Sequence, residues 1–224
     1  SGIPMVFIAG TRFDSAAAWV AHMEKNASGF RMIIPDIRGM AGSEHTTDVK
    51  GEDWVSDLAA LLDELKLDSV HISAETLGTR VATRFAVEYP GRTKSLILNG
   101  PIAYSYAEGD SERATQPQER IDSMKQHHGE DAAAINAFYL KLHADPAFHD
   151  YFDLRKIGAD VQAPALLMRG DVDDDRHPIA HATDLHALMP NSRLQIFAHT
   201  NFNARTNRPD ESWALIRALV ADVG

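Results

Sequence analysis

The side chains of this 224-residue chain that could do covalent chemistry are hydroxyls, imidazoles and carboxylates, because the sequence contains no cysteine. That absence excludes thiolate nucleophiles, disulfides, iron–sulfur clusters and zinc–thiolate sites. One hydroxyl stands out by its surroundings. In the stretch Ala74-Glu75-Thr76-Leu77-Gly78 an apolar run turns sharply into a helical pattern, and Thr76 is flanked two residues away by the small residues Ala74 and Gly78. A threonine hydroxyl attacks only when a base removes its proton. Carboxylates gather after Gly170, at Asp171, Asp173, Asp174 and Asp175, and His177-Pro178 follows them. A single histidine, His199, follows the last apolar run, at the start of HTNFNARTNR. His127, His128, His143 and His149 lie in one segment without the spacing of a metal motif such as H-E-x-x-H. No metal and no cofactor is expected.

The elements that must position these residues are short apolar runs alternating with helical patterns. Met5–Ala9, Arg31–Ile34, Ser69–Ile72, Ser95–Leu98, Ala165–Met168 and Arg193–Phe197 read as buried strands bounded by Gly, Pro or polar residues. Helical patterns run over 16–25, 53–65, 78–89, 180–188 and 212–220, with Asp14-Ser15 as candidate N-caps of the first. This alternation predicts an α/β fold, a doubly wound and mostly parallel sheet with helices on both faces. From Tyr104 to Asp160 the pattern changes to a polar stretch (108–118), helices at 121–128 and 131–143, and no strand. The expected organisation is a core of 1–103 and 161–224 with a small helical cap inserted at 104–160. Tyr104, Tyr106, Phe138, Tyr139, Phe148 and Phe152 would form the core of that insertion or line a site.

The formal net charge is −10, from 22 basic and 32 acidic residues. Residues 104–160 hold 11 acidic and 6 basic side chains, so half of the excess sits in that quarter of the chain. An acidic chain lacks the cationic face that nucleic acid or anionic membranes require. No apolar run approaches the ~18 residues of a membrane span, and SGIPMVFIAG lacks the basic region of a signal peptide. The expected compartment is the cytoplasm. The expected partner is a small molecule, apolar rather than anionic, and a homodimer is left open.

The segment 67–90 resembles the nucleophile elbow of the α/β-hydrolase superfamily, G-x-S-x-G between a strand and a helix, with Ala74 and Gly78 at the glycine positions and Thr76 at the nucleophile position. Other segments resemble the family in the expected order. They are Val6–Trp19 (Ala9 replacing a histidine, Gly10 kept), Pro35–Ser43 (Ala41 replacing the second glycine), Glu88–Gly100, Pro164–Pro178 and Leu185–Phe197. Two strands that the family usually places before the Val6 strand have no counterpart in this sequence. The resemblance implies Asp173, three residues after Gly170, as the acid, and backbone N–H groups of Leu77 and of Thr11 or Arg12 as oxyanion donors. Glu75 would be a structural or site-lining neighbour. The base position, counted forward from Phe197 or back from Pro209, falls on Phe202, so His199 is the remaining candidate in that loop. The implied function is hydrolysis of a small uncharged ester or lactone with Thr76 in the nucleophile position. The alternative is a catalytically degenerate member that binds an apolar small molecule or a protein partner.

Overall fold

In the computed structural model, described over residues 2–10, 15–46, 48–104, 118–174 and 177–224, six strands form one sheet. They are β1 (Ile3–Ile8), β2 (Phe30–Ile33), β3 (Val70–Glu75), β4 (Thr93–Asn99), β5 (Ala165–Gly170) and β6 (Ser192–Phe197). Their spatial order is β2-β1-β3-β4-β5-β6, and every ladder is parallel. The helices between and after them are α1 (Ala16–Asn26), α2 (Gly51–Glu64), α3 (Gly78–Glu88), α4 (Gln118–His128), α5 (Ala132–His143), α6 (Pro146–Tyr151), α7 (Ile179–Leu188), α8 (Ala204–Asn207) and α9 (Pro209–Val223). This is the doubly wound α/β architecture that the alternating pattern predicts.

Side-chain alternation along each strand divides the core in two. Met5 and Phe7 of β1, Ile97 of β4, and Leu166 and Met168 of β5 pack with Met23 of α1 and with Trp213, Ile216, Leu219 and Val220 of α9. The intervening residues Val6, Ile8, Ile72, Ala74, Leu96, Leu98 and Leu167 face Trp54, Leu58 and Leu62 of α2, Val81 and Phe85 of α3, and Leu185 of α7. Both faces are covered, so β1 and the middle of β4 and β5 are apolar on both sides, while β3 alternates with the buried polar residues His71, Ser73 and Glu75. Local chemistry sets the helix starts. Ser15 accepts from the Ala18 amide at 3.3 Å, the Asp36 carboxylate accepts from Ala16 N at 2.6 Å, and Asp53 accepts from Lys50 N at 2.7 Å. Asp14 lies outside the described residues.

Between β4 and β5 the described residues contain helices and no strand. Phe138, Phe148 and Phe152 are buried there, with Trp54 packed edge-on to Phe148 at 5.5 Å and tilted against Phe152 at 6.1 Å. The contact with the core is close. A Cβ on Gly39 would lie 2.4 Å from the Phe138 ring, and one on Gly51 would lie 2.6 Å from Phe152. These aromatics therefore join α5 and α6 to α2 as core, and Tyr106 lies outside the described residues. Sequence reading did not anticipate α6 and α8, each six residues or fewer. Pro146 at the helix start and the Asp145 cap, which accepts from Ala147 N at 2.9 Å, are the local signals for α6.

Sheet order reverses direction between β1 and β3. In parallel sheets ligands bind beyond the carboxyl ends of strands at such a switch point. Among the described residues no helix is long and apolar enough to cross a membrane.

Two buried histidines tie the stability of this core to pH. Burial is the main cause that brings His71 and His181 down to about 4, assisted by Lys94 for the former and by Arg80 first among neighbouring cations for the latter. Both rings stay neutral in the fold while the unfolded chain protonates near 6.5. The unfolded state then binds more protons, so stability is level above about pH 6.5 and falls as pH drops towards 4. Urea unfolding midpoints measured from pH 7.5 to 4.5 should fall accordingly, and His71→Gln should give a shallower slope.

Candidate functional site

The switch-point strand β3 runs into the turn around Thr76. Every residue from Val70 to Thr83 is buried except Thr76. Its φ of +41° lies in the left-handed region, where a β-branched residue costs on the order of 1–3 kcal/mol. The turn is held from two sides. Thr76 N donates to Asn99 O at 3.1 Å, and the Thr79 amide and hydroxyl donate to Thr76 O at 3.0 and 2.5 Å. Gly78 is needed for close approach of the helix to β1, since a Cβ there would meet Ile8 O at 2.5 Å and Ala9 O at 2.7 Å. The geometry is that of a strained elbow presenting one hydroxyl, with Leu77 opening α3 and its side chain buried.

Beneath the elbow lies a buried charge pair. Glu75 is 2% exposed and Arg205 0%. The Arg205 Nε atom stands 2.9 Å from Glu75 Oε1, and the Asn99 amide donates to Glu75 Oε2 at 2.5 Å. The guanidinium lies over the rings of Phe7 at 5.2 Å and Trp213 at 6.0 Å. Burial pushes the Arg205 pKa down, and the charge of Glu75 opposes that shift. Asn99 is the hub of the arrangement. Its backbone carbonyl holds Thr76, its amide reaches Glu75 and the Phe202 carbonyl (3.3 Å), and its side-chain oxygen accepts from Arg205 N at 3.2 Å. Glu75, read as structural or site-lining, is thus committed to a structural pair.

Phe202 lies against the end of β4. A Cβ on Gly100 would sit 2.9 Å from Phe202 O and 3.2 Å from its Cβ. The Phe202 ring stacks on the His177 imidazole with centroids 3.7 Å apart and planes 19° apart. His177 belongs to the acidic loop after β5. There Asp173 Oδ1 accepts from Ile179 N at 2.7 Å, Asp174 N at 3.1 Å and the buried Arg169 guanidinium at 3.2 Å. Asp174 Oδ1 accepts from His177 N at 2.7 Å and lies 3.5 Å from His177 Nδ1. Arg169 also donates to the carbonyls of Gly170, Val172 and His177, which fixes the loop on β5.

His199 is exposed on the turn after β6 at φ +57°, and its backbone N–H donates to Asp171 Oδ1 at 2.7 Å. Among the described residues its imidazole has no hydrogen-bond partner, and none hydrogen-bonds the Thr76 hydroxyl. The structure therefore gathers Thr76, Leu77, Glu75 and Phe202 around Asn99 and links Asp173 to Phe202 through the loop bearing His177. Thr11 and Arg12 lie outside the described residues. Sequence reading passed over His177 as loop structure and did not single out Asn99 or Arg205. Among the described residues no group of three or more His, Asp or Glu side chains is placed to hold a metal ion.

A sequence profile of the alpha/beta hydrolase fold matches residues 4–136, which span β1, the elbow and α5. The chain belongs to the alpha/beta hydrolase fold family. It is 30% identical over 110 residues to the 2-hydroxy-6-oxo-2,4-heptadienoate hydrolase of Pseudomonas putida, covering 47% of this chain and 40% of that relative. This chain thus spans less than half the length of that protein. It is 32% identical over 219 residues to a 2-hydroxy-6-oxononadienedioate/2-hydroxy-6-oxononatrienedioate hydrolase of Comamonas testosteroni, covering 82% and 74% of the two chains. Its fold matches that of a meta-cleavage product hydrolase from Pseudomonas fluorescens IP01 with a TM-score of 0.76 at 18% identity, covering 100% and 92%. As a member of the alpha/beta hydrolase family the chain keeps the elbow and the loop after β5, while an apolar ring stands where the resemblance places the base.

The buried pair gives this site a measurable signature. Arg205→Met leaves the Glu75 carboxylate buried without its cation and should cost about 3–5 kcal/mol in denaturant unfolding. Glu75→Gln combined with Arg205→Met should recover a large part of that loss, because the charge is removed together with its partner.

Proposed function

We propose that this chain acts on a small uncharged ester or lactone, with Thr76 as the attacking group and the loop bearing Asp173 as the acidic arm of the site. The observation that carries this reading is the partial exposure of Thr76 within an otherwise buried segment, at a strained φ and at the sheet's switch point. Strain of this kind persists where the surroundings over-determine it. Here the surroundings are Asn99, Thr79 and Gly78. The hydrolase relatives support attack on a carbonyl carbon as the reaction class. The backbone N–H of Leu77, at the start of α3, would face the developing oxyanion.

Helices α4–α6 are read as the cap over this site, with 104–160 as its extent. Their acidic surplus disfavours anionic substrates at the entrance. The buried aromatics of α5 and α6 anchor the cap and leave substrate contact to other residues.

A second reading, a member that binds a small apolar molecule without turning it over, is favoured by one feature. The base position holds the phenyl ring of Phe202, and an unassisted threonine hydroxyl is inert at neutral pH.

Rates with short p-nitrophenyl esters and aryl lactones separate the two readings. Turnover by the native chain, falling to the buffer rate in Thr76→Ala and unchanged in His199→Ala, is the expected result. Equal rates for the native chain and Thr76→Ala would leave the binding reading in its place.

A further inference from the structure

A threonine nucleophile needs a proton acceptor, and the histidines of the described residues can be compared on geometry. His22 contacts Trp213 on the α1/α9 side of the sheet, at 3.3 Å from its indole N–H. His71 is engaged with Ser95 Oγ at 2.8 Å within the sheet. His181 is buried, its Nδ1 accepting from Ala103 N at 3.2 Å. His199 is exposed on its turn. His45 is bonded to Ala41 O, His149 to His143 O, and His186 to Ser192. His177 differs from all of these. Its ring lies face to face with Phe202, one ring thickness from the side chain at the base position. Phe202 in turn is tied through its carbonyl to Asn99, the residue that holds Thr76 N.

We propose that His177, oriented by Asp174, is the general base of this site, moved from the loop after β6 to the loop after β5. This rests on the hydrolase reading above. Asp174 receives the His177 backbone N–H and faces Nδ1 at 3.5 Å, so it orients the ring. Arg169 anchors the His177 carbonyl, and the neutral His181 ring and the Asp173 carboxylate complete the titratable surroundings of this loop. Phe202 replaces the lost imidazole as a platform on which its substitute stacks. In the acylation step Thr76 Oγ1 loses its proton to His177 Nε2 and bonds to the acyl carbon, and the carbonyl π pair moves to oxygen. Collapse of the adduct breaks the bond to the leaving alkoxide, which takes the proton from Nε2. Water repeats the sequence in reverse, releasing the acid and restoring Thr76.

The test uses the full chain and a p-nitrophenyl ester. His177→Gln should lower kcat by about 100-fold or more with little change in KM. Adding Phe202→His to that variant should restore part of the rate, because the new imidazole occupies the facing position in the stack. The pH–rate profile of the native chain should show a limb that moves in Asp174→Asn, because the carboxylate 3.5 Å from the ring is lost. Full activity of His177→Gln beside an inactive Thr76→Ala would overturn the assignment of the base and leave the hydrolase reading standing. Should His177→Gln fail to fold, an unshifted limb in Asp174→Asn would overturn it equally. No turnover by the native chain would overturn both.

Discussion

Three neighbouring groups decide the shape of this site: Glu75 and Asn99 at the carboxyl ends of β3 and β4, and Arg205 of α8. A carboxylate and a guanidinium removed from water are tolerated only when each finds compensation. Glu75 finds it in Arg205 and in the Asn99 amide. Arg205 adds the faces of two aromatic rings. Asn99 is an amide with two donors and an acceptor; one donor goes to Glu75 at the end of β3, and the other donor and the acceptor go to the segment that carries Phe202 and Arg205. The elbow backbone hangs from the same residue. One buried asparagine therefore sets the relative positions of the turn that bears Thr76 and the loop that bears Phe202.

The remainder of the molecule can be read as support for that arrangement. The parallel sheet brings the ends of β1, β3 and β4 to one edge. Gly78 lets α3 come down on β1, and Gly170 lets the segment at Thr200 and Asn201 cross the end of β5, where a Cβ would lie 1.9 Å from Thr200 O. The same tolerance for tight backbone appears at Ala41. It adopts φ +45° at a position where the family carries glycine, next to Gly39 at +85°. The loop is kept in shape there by Asp36, which binds both the start of α1 and the Gly42 amide.

Much of the fold was legible in the sequence because a doubly covered parallel sheet writes itself as short apolar runs. The six strands and the longer helices lie where those runs and periodicities place them, to within a few residues. Elements of six residues or fewer, such as α6 and α8, carry too little periodicity to show. The elbow was legible through the small residues at 74 and 78. Counting from both ends puts Phe202 at the position the resemblance gives to the base, and its carbonyl accepts from the Asn99 amide. The Glu75–Arg205 pair was not legible, since charge at a strand end reads as the approach of a loop and its partner belongs to a distant helix. His177 was hidden for a related reason. Its meaning lies in a ring stacked across two loops, and nothing in the spacing of His-Pro after an acidic run announces that contact.

The distance along the chain between the partners has a consequence for how the molecule is made. Asn99 and the Arg205 amide it binds are 106 residues apart, and Glu75 precedes both. A chain emerging from the ribosome carries β3 and the Thr76 turn long before the segment that neutralises them. During that interval the carboxylate stays hydrated, while the groups that hold the turn itself, Asn99 O and Thr79, are already in the chain. The buried pair beneath Thr76 is therefore completed by a segment made well after the central strands of the sheet, so the charge of Glu75 waits in water for its partner.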